Sequence, residues 1–173
     1  LTAPSIQRDT LVKYLPGTVI SLNSADTTEL KKIPGLEITE HVAGGSGIVA
    51  LMHGKKDTGK NILLRADIDA LPIEEPGEYE YKSQNHGQMH ACGHDMHTAC
   101  LLGALILLNR RRSEIDGTVF GLFQPGEEVD PGGASLVLAE DPFRDYRVQA
   151  VVGEHVGAEI PLGQLGFRPG KYM

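Results

Sequence analysis

The sequence predicts an α/β domain with a mostly parallel sheet flanked by helices. Three observations support this fold class. Short apolar segments recur along the chain, helical segments separate several of them, and polar side chains follow the strands where these end. The 173 residues are enough for one domain with a hydrophobic core.

The pattern is weakest in residues 1–45. Two short helices are predicted there, at 7–15 and 27–33, each followed by a Pro-Gly dipeptide that stops it. Ser24 or Asp26 would cap the second helix. Residues 36–42 alternate loosely between apolar and polar, which predicts an edge strand.

The pattern becomes regular after the glycine-rich segment 44–47. Strands are predicted at 47–52, 61–66, 118–123 and 149–153, with a polar turn at 53–60 and a possible further strand at 165–167. Helices are predicted at 95–111 and 133–139. The first of these ends in three arginines, which are favourable at a helix C-terminus.

Composition argues against several classes of protein. With 16 basic and 23 acidic residues the net charge is -7, which opposes nucleic-acid binding. The longest apolar run is about ten residues, against roughly twenty needed to span a bilayer. Cys92 and Cys100 lie on one continuous segment and do not suit a disulfide. We expect a cytoplasmic protein without a nucleic-acid or membrane partner.

Polar residues follow three central strands. Asp67 and Asp69 come after 61–66, Glu127 and Glu128 after 118–123, and His155 after 149–153. In open α/β sheets, binding sites lie outside the carboxyl ends of the strands. If these strands are parallel, all five side chains emerge at one edge, where the loop before the helix at 95–111 can join them.

That loop carries Cys92 and His94, with His90, Asp95 and His97 close by. Thiolate and imidazole are preferred ligands of Zn²⁺, which favours a metal site. A redox or nucleophilic Cys92–His94 pair is the competing functional interpretation. A buried, small apolar role is the structural alternative, and it is the one we expect for Cys100.

The carboxylates also have two interpretations. Adjacent side chains point in different directions, so one of Glu127 and Glu128 can bind a metal while the other acts as general base, unless both are simply solvated. His155 is either a ligand or a satisfied core residue. Asp67 either pairs with Arg65, caps a turn, or orients a ligand histidine.

Five segments together resemble a known family: 65–72 (RADIDALP), 87–99 (GQMHACGHDMHTA), 123–128 (FQPGEE), 132–134 (GGA) and 155–156 (HV). They are similar to the metal-dependent amidohydrolases and metallopeptidases that include hippurate hydrolase, N-acyl-amino-acid amidohydrolases, auxin-conjugate hydrolases and related carboxypeptidases. The resemblance covers residues 44–170. Gly126 stands where the family commonly has alanine, and a His-x-x-Pro-Glu element is not visible in 1–36.

The resemblance implies a three-layer, zinc-exopeptidase-like domain with a mixed, mostly parallel sheet, incomplete in this chain. It also implies two divalent metal ions, zinc or manganese. Glu127 would be the general base and Asp69 a carboxylate that orients the site. The implied ligands are Cys92, His94, Glu128 and His155, and the implied supporting residues are Asp67, Asp95 and His97.

The resemblance further implies a domain organisation. Residues 1–173 would be the first segment of a catalytic metallohydrolase domain. A smaller dimerisation or lid domain and a C-terminal catalytic segment, absent here, would make the full-length protein a homodimer. The expected activity is hydrolysis of amide bonds in N-acyl-amino acids or small peptides. A catalytically incomplete metal-binding or partner-binding fragment is the alternative.

Overall fold

The computed structural model describes residues 27–167 and 169–170. The predicted helix at 7–15 and the proposed capping residues Ser24 and Asp26 lie outside this range. The described elements, in chain order, are α1 (Thr28–Lys31), β1 (Glu37–Val42), β2 (Gly47–His53), β3 (Lys56–Asp67), α2 (His94–Arg110), a 3-10 turn (Arg112–Glu114), β4 (Asp116–Gln124), α3 (Gly133–Glu140) and β5 (Ala150–Gly153).

The five strands form one sheet in the order β1-β2-β4-β3-β5. β4, β3 and β5 are parallel to one another, whereas β2 pairs antiparallel with both β4 and β1. The sheet is therefore mixed, and the predicted α/β class is confirmed. The three parallel strands place their carboxyl ends at one edge of the sheet.

Two predicted segments differ in the structure. The polar turn expected at 53–60 is shorter, because β3 begins at Lys56, which pairs with Asp116 of β4. The Gly54 amide donates to the carbonyl oxygen of Gly117 in β4, and the Lys55 amide donates to that of Ile115 just before β4, so these two residues suffice for the reversal. Segment 165–167 is not a strand, since within the described residues it has no ladder partner.

Helices cover both faces of the sheet. α1 and α2 pack on one face, where Leu105 of α2 lies against Gly121 of β4; a Cβ at Gly121 would be 2.8 Å from a Leu105 methyl carbon. α3 and the segment after it cover the other face, around Phe120. β4 is buried along nearly its whole length, as expected for a central strand with both faces covered. No helix within the described ranges has the length and apolar character needed to cross a bilayer.

We expect Leu105→Ala to lower the free energy of unfolding by about 2–5 kcal/mol, because it leaves a cavity under the sheet. Leu105 is fully buried, whereas Leu107 of the same helix is 52% exposed. Leu107→Ala is therefore a matched control with an expected effect within about 0.5 kcal/mol. Urea denaturation of the three proteins measures the difference; equal losses would contradict the assignment of Leu105 to the core.

Candidate metal centre

The parallel strands bring the predicted polar residues to one edge. Asp67 ends β3 beside Gln124, the last residue of β4, and Gly153 ends β5 beside Arg65. The N-terminus of α2 reaches the same edge, where the Thr98 hydroxyl lies 3.2 Å from the Asp67 carbonyl oxygen. The loop before α2 and the segments after the three strands therefore surround one location.

His94 lies at the centre of this location and is almost fully buried. Its Nδ1 donates a hydrogen bond to the Asp69 carbonyl oxygen at 3.0 Å, so the ring's other nitrogen, Nε2, presents a lone pair. Among the described residues, that buried Nε2 has no hydrogen-bond partner. A buried polar atom without a partner is costly, and a metal ion would satisfy it.

Carboxylates surround the same nitrogen. Oxygens of Glu127 and Glu128 each lie 3.9 Å from His94 Nε2, and an Asp67 oxygen lies 3.7 Å away. Asp69 holds the glutamate loop in place by accepting a hydrogen bond from the Glu128 amide at 3.0 Å. Several negative charges around one free nitrogen form a donor set that suits a divalent cation.

Cys92 and His155 complete the cluster. Cys92 Sγ lies 3.3 Å from His155 Nε2, and His155 Nδ1 donates to the Val156 carbonyl oxygen at 2.7 Å. Nε2 of His155 therefore also carries its lone pair toward the site. Burial, together with a hydrogen bond to Glu128, raises the pKa of the Cys92 thiol to about 11.

The potential ligand atoms fall into three groups, each with its members within 4.8 Å of one another. Because all three contain His94, they describe one connected cluster rather than separate sites. The groups are Cys92–His94–His155, His94–Glu127–Glu128 and Asp67–His94–His97. The donor set of thiol, imidazole and carboxylate fits zinc and, through its oxygens, manganese.

Residues 63–172 match the family model described as peptidase family M20/M25/M40. The matched range contains every residue of the cluster. The chain belongs to this peptidase family.

Two curated relatives of this family M20 chain are hydrolases by name. The chain is 44% identical over 128 residues to an N-acetylcysteine deacetylase of Bacillus subtilis, a match that covers 74% of the chain and 33% of the relative. It is 40% identical over 144 residues to thermostable carboxypeptidase 2 of Saccharolobus solfataricus, covering 83% and 36%. The chain therefore spans about a third of the length of these relatives.

A solved structure agrees with the fold. The Bacillus subtilis YXEP protein, described as a dinuclear metal binding peptidase from the M20 family, superposes with a TM-score of 0.77 at 36% identity. The match covers 97% of this chain and 48% of that one. The mixed sheet and its helices are thus the fold of an M20 peptidase.

Most of the site residues named from the sequence of this M20 chain come together, and one does not. Asp95 lies in the first turn of α2 but in none of the three ligand groups of the described residues. Asp67 pairs with Arg65, which is one of the alternatives left open by the sequence, and it also contacts His97. Burial alone would raise the pKa of Asp67, but the hydrogen bond to His97 and the charge of Arg65 lower it to about 2.

Sequence reasoning missed one connection in the site. His97 Nε2 accepts a hydrogen bond from the Val156 amide at 2.9 Å, which ties α2 to the segment that carries His155. The spacing of His94 and His97 indicated a shared helix face, since residues three apart are neighbours on a helix. Nothing in the sequence pattern indicated which backbone amide His97 would bind.

We expect Gly93→Ala to disturb the site more than its backbone conformation alone explains. Gly93 has φ +82°, which costs an alanine about 1–2 kcal/mol, and its added Cβ would lie 2.5 Å from a Val156 methyl carbon. Gly44→Ala is the matched control, because Gly44 has φ +80° and nothing within 4 Å of the added carbon. Zn²⁺ titration and thermal melting compare the two; equal metal affinity would show that the Gly93–Val156 contact does not position the site.

Proposed function

We propose that the protein hydrolyses amide bonds in N-acyl-amino acids or small peptides, with two divalent ions, zinc or manganese, as cofactors. The observation that carries this proposal is the buried, unpartnered Nε2 of His94, surrounded by carboxylates at the edge where the parallel strands end. Membership of the peptidase family and the dinuclear site of the YXEP protein support it.

Cys92, His94, Glu128 and His155 would hold the ions. Bound there, the ions would polarise the scissile carbonyl and make the attacking water more acidic. Cys92 would bind as a thiolate, since a cation at the sulfur opposes both the burial and the nearby carboxylates that raise its thiol pKa to about 11. His94 and His155 are already in the required tautomer, because Nδ1 of each ring donates to a backbone carbonyl oxygen.

Glu127 is proposed as the general base. Its side chain is 41% exposed, compared with 28% for Glu128, so water reaches Glu127 more easily. Glu128 is held by the hydrogen bond that its backbone N–H donates to the Asp69 carboxylate and by the Cys92 thiol, which suits a ligand more than a proton carrier. Glu127 would take a proton from the attacking water and deliver it to the leaving amine. Asp69 would orient both His94 and the glutamate loop.

The substrate class rests on the relatives. Their names describe deacetylation of an N-acetyl amino acid and removal of carboxyl-terminal residues, both of which break an amide bond next to a small acyl or peptidyl group. The roles of Asp67, Asp95 and His97 as supporting residues belong to the same proposal. A homodimeric full-length protein with a separate lid domain, and a cytoplasmic location, stay predictions.

A metal-binding module without turnover is the second candidate for this chain by itself. It is favoured by the ligand cluster, whose members all lie between residues 67 and 155. Activity of this chain and of the full-length protein on N-acetyl and N-benzoyl amino acids, with added Mn²⁺, separates the candidates. Turnover by the full-length protein alone would assign metal binding to this chain and hydrolysis to the whole.

We expect a chelator to abolish hydrolysis by the full-length protein, and added Zn²⁺ or Mn²⁺ to restore it. Metal content measured beside the rate should fall and recover in parallel. A thiol hydrolase built on Cys92 would instead keep its activity in chelator and lose it to an alkylating reagent. That outcome would overturn the proposed function, but a raised thiol pKa makes such a nucleophile unfavourable.

A further inference from the structure

His155 lies in an exposed part of the chain, where side-chain packing does little to fix its position. His155 is itself exposed, as are all four residues of β5. β5 ends at Gly153, so no ladder bond reaches the histidine. A ligand on an exposed segment needs specific contacts to stay in place, because an unrestrained side chain must be ordered when the ion binds.

Those contacts converge on the residue after it. The Val156 amide donates to His97 Nε2, the Val156 carbonyl oxygen accepts from His155 Nδ1, and the Val156 side chain packs against Gly93. The rings of His97 and His155 also meet edge to face, with centroids 4.7 Å apart. Val156 is thus the point at which α2 holds the segment after β5.

The tautomer of His97 follows from its hydrogen bond with the Val156 amide. A ring nitrogen that accepts from an amide carries no proton, so the proton of His97 lies on Nδ1, toward Asp67. Both nitrogens then have partners. His97 is therefore not free to bind a metal, although its distances to His94 and Asp67 resemble those of a ligand group.

Asp67 is itself fixed from the sheet. Arg65 donates to Asp67 Oδ2 at 2.7 Å through Nη1 and to the Gln124 side-chain oxygen at 3.0 Å through Nε. Asp67 and His97 are almost fully buried, so water does not compete for these bonds. A continuous chain of contacts therefore leads from β3 and β4 through Arg65, Asp67 and His97 to the Val156 amide.

We infer that His97 is a positioning residue, which holds His155 Nε2 in the metal centre through the Val156 amide, with Arg65 and Asp67 fixing its tautomer. This inference rests on the proposed function, since it takes His155 to be a ligand. It assigns His97 a role different from ligation. Substitutions that disturb residues orienting a ligand typically cost 10–100-fold in metal affinity, which sets the expected size of the effect.

Two substitutions test the two ring nitrogens of His97 separately. Gln places its amide oxygen near the position of Nε2, so His97→Gln keeps an acceptor for the Val156 amide. Asn places its amide near Nδ1, so His97→Asn keeps the contact with Asp67 and loses the one with Val156. We expect His97→Asn to weaken Zn²⁺ binding about 10–100-fold, and His97→Gln to retain most of the affinity. Competition with a chromophoric chelator measures both, and thermal melting reports any common loss of stability.

A double-mutant cycle tests whether the effect passes through His155. We expect His155→Ala to lower Zn²⁺ affinity, and His97→Asn to add nothing in that background. Additive losses, or equal losses in the Gln and Asn variants, would overturn the inference and leave the proposed function standing. Unchanged affinity in His155→Ala would instead remove His155 from the proposed ligand set, and the inference with it.

The wild-type protein provides a test that does not depend on a variant's folding. The imidazole ¹⁵N resonances of the metal-free and Zn²⁺-loaded protein distinguish a coordinated nitrogen from a hydrogen-bonded one. We expect the Nε2 signals of His94 and His155 to shift on loading, and that of His97 to keep the value of an unprotonated acceptor. A coordination shift at His97 Nε2 would overturn the inference.

Discussion

Glu127→Gln is expected to reduce turnover by the full-length protein about 10²–10⁴-fold, the usual contribution of a positioned general base. Gln has almost the same shape as Glu but accepts no proton, so the attacking water is not deprotonated. Metal content should stay near that of the wild type. The Glu127 carboxylate is well placed for this role because it is partly exposed to solvent and lies 3.9 Å from His94 Nε2.

Glu128→Gln is the matched comparison, one residue along the same loop. We expect it to lose metal as well as activity, because Glu128 contacts Cys92 and its amide is anchored to Asp69. Steady-state rates and metal analysis on both variants measure the contrast. Equal metal loss in the two proteins would contradict the assignment of Glu127 as base and Glu128 as ligand.

His94→Ala is expected to weaken metal binding more than 100-fold. His94 belongs to all three potential ligand groups, so removing its imidazole breaks the whole cluster. Disturbing a residue that only orients a ligand costs about 10–100-fold in affinity, and removal of a central ligand should exceed that. Metal analysis after dialysis should find the variant nearly empty, and hydrolysis should fall with its metal content.

His86→Ala is the control for this prediction. The His86 side chain is 97% exposed, and its polar contact within the described residues is a 3.5 Å pair with Glu74, a surface pair that contributes little. It removes an imidazole from the same region of the sequence while leaving the cluster intact. If His94→Ala kept its full metal content while His86→Ala behaved like the wild type, the cluster described here would not be the metal site.

Periodicity located the regular elements because it depends on local sequence. The strand at 118–123 and the helix at 95–111 recur as β4 and α2, within two residues at each end. The strand predicted at 165–167 was wrong, since a short apolar run becomes a strand only where a neighbouring strand pairs with it. The start of β3 at Lys56 was missed for the converse reason: pairing with β4 overrides its polar sequence.

For the site, the sequence by itself determined which chemical groups are available and which edge of the sheet they share. Glu127, Glu128 and His155 were named from residue type and from their positions after strands. Cys92 and His94 were named from residue type in the loop before a helix. Parallel pairing of the strands brings these segments to one edge. The sequence also determined the family, because five ordered motifs carry it.

Only the tertiary structure decided how each of these groups is hydrogen-bonded. It shows that His94 keeps one nitrogen free, that both nitrogens of His97 are occupied, and that Asp95 stands apart from the ligand groups within the described residues. The physical reason is that a hydrogen bond depends on distance and direction between residues far apart in sequence. The bond from Val156 to His97 joins positions 59 residues apart, and no local pattern encodes it.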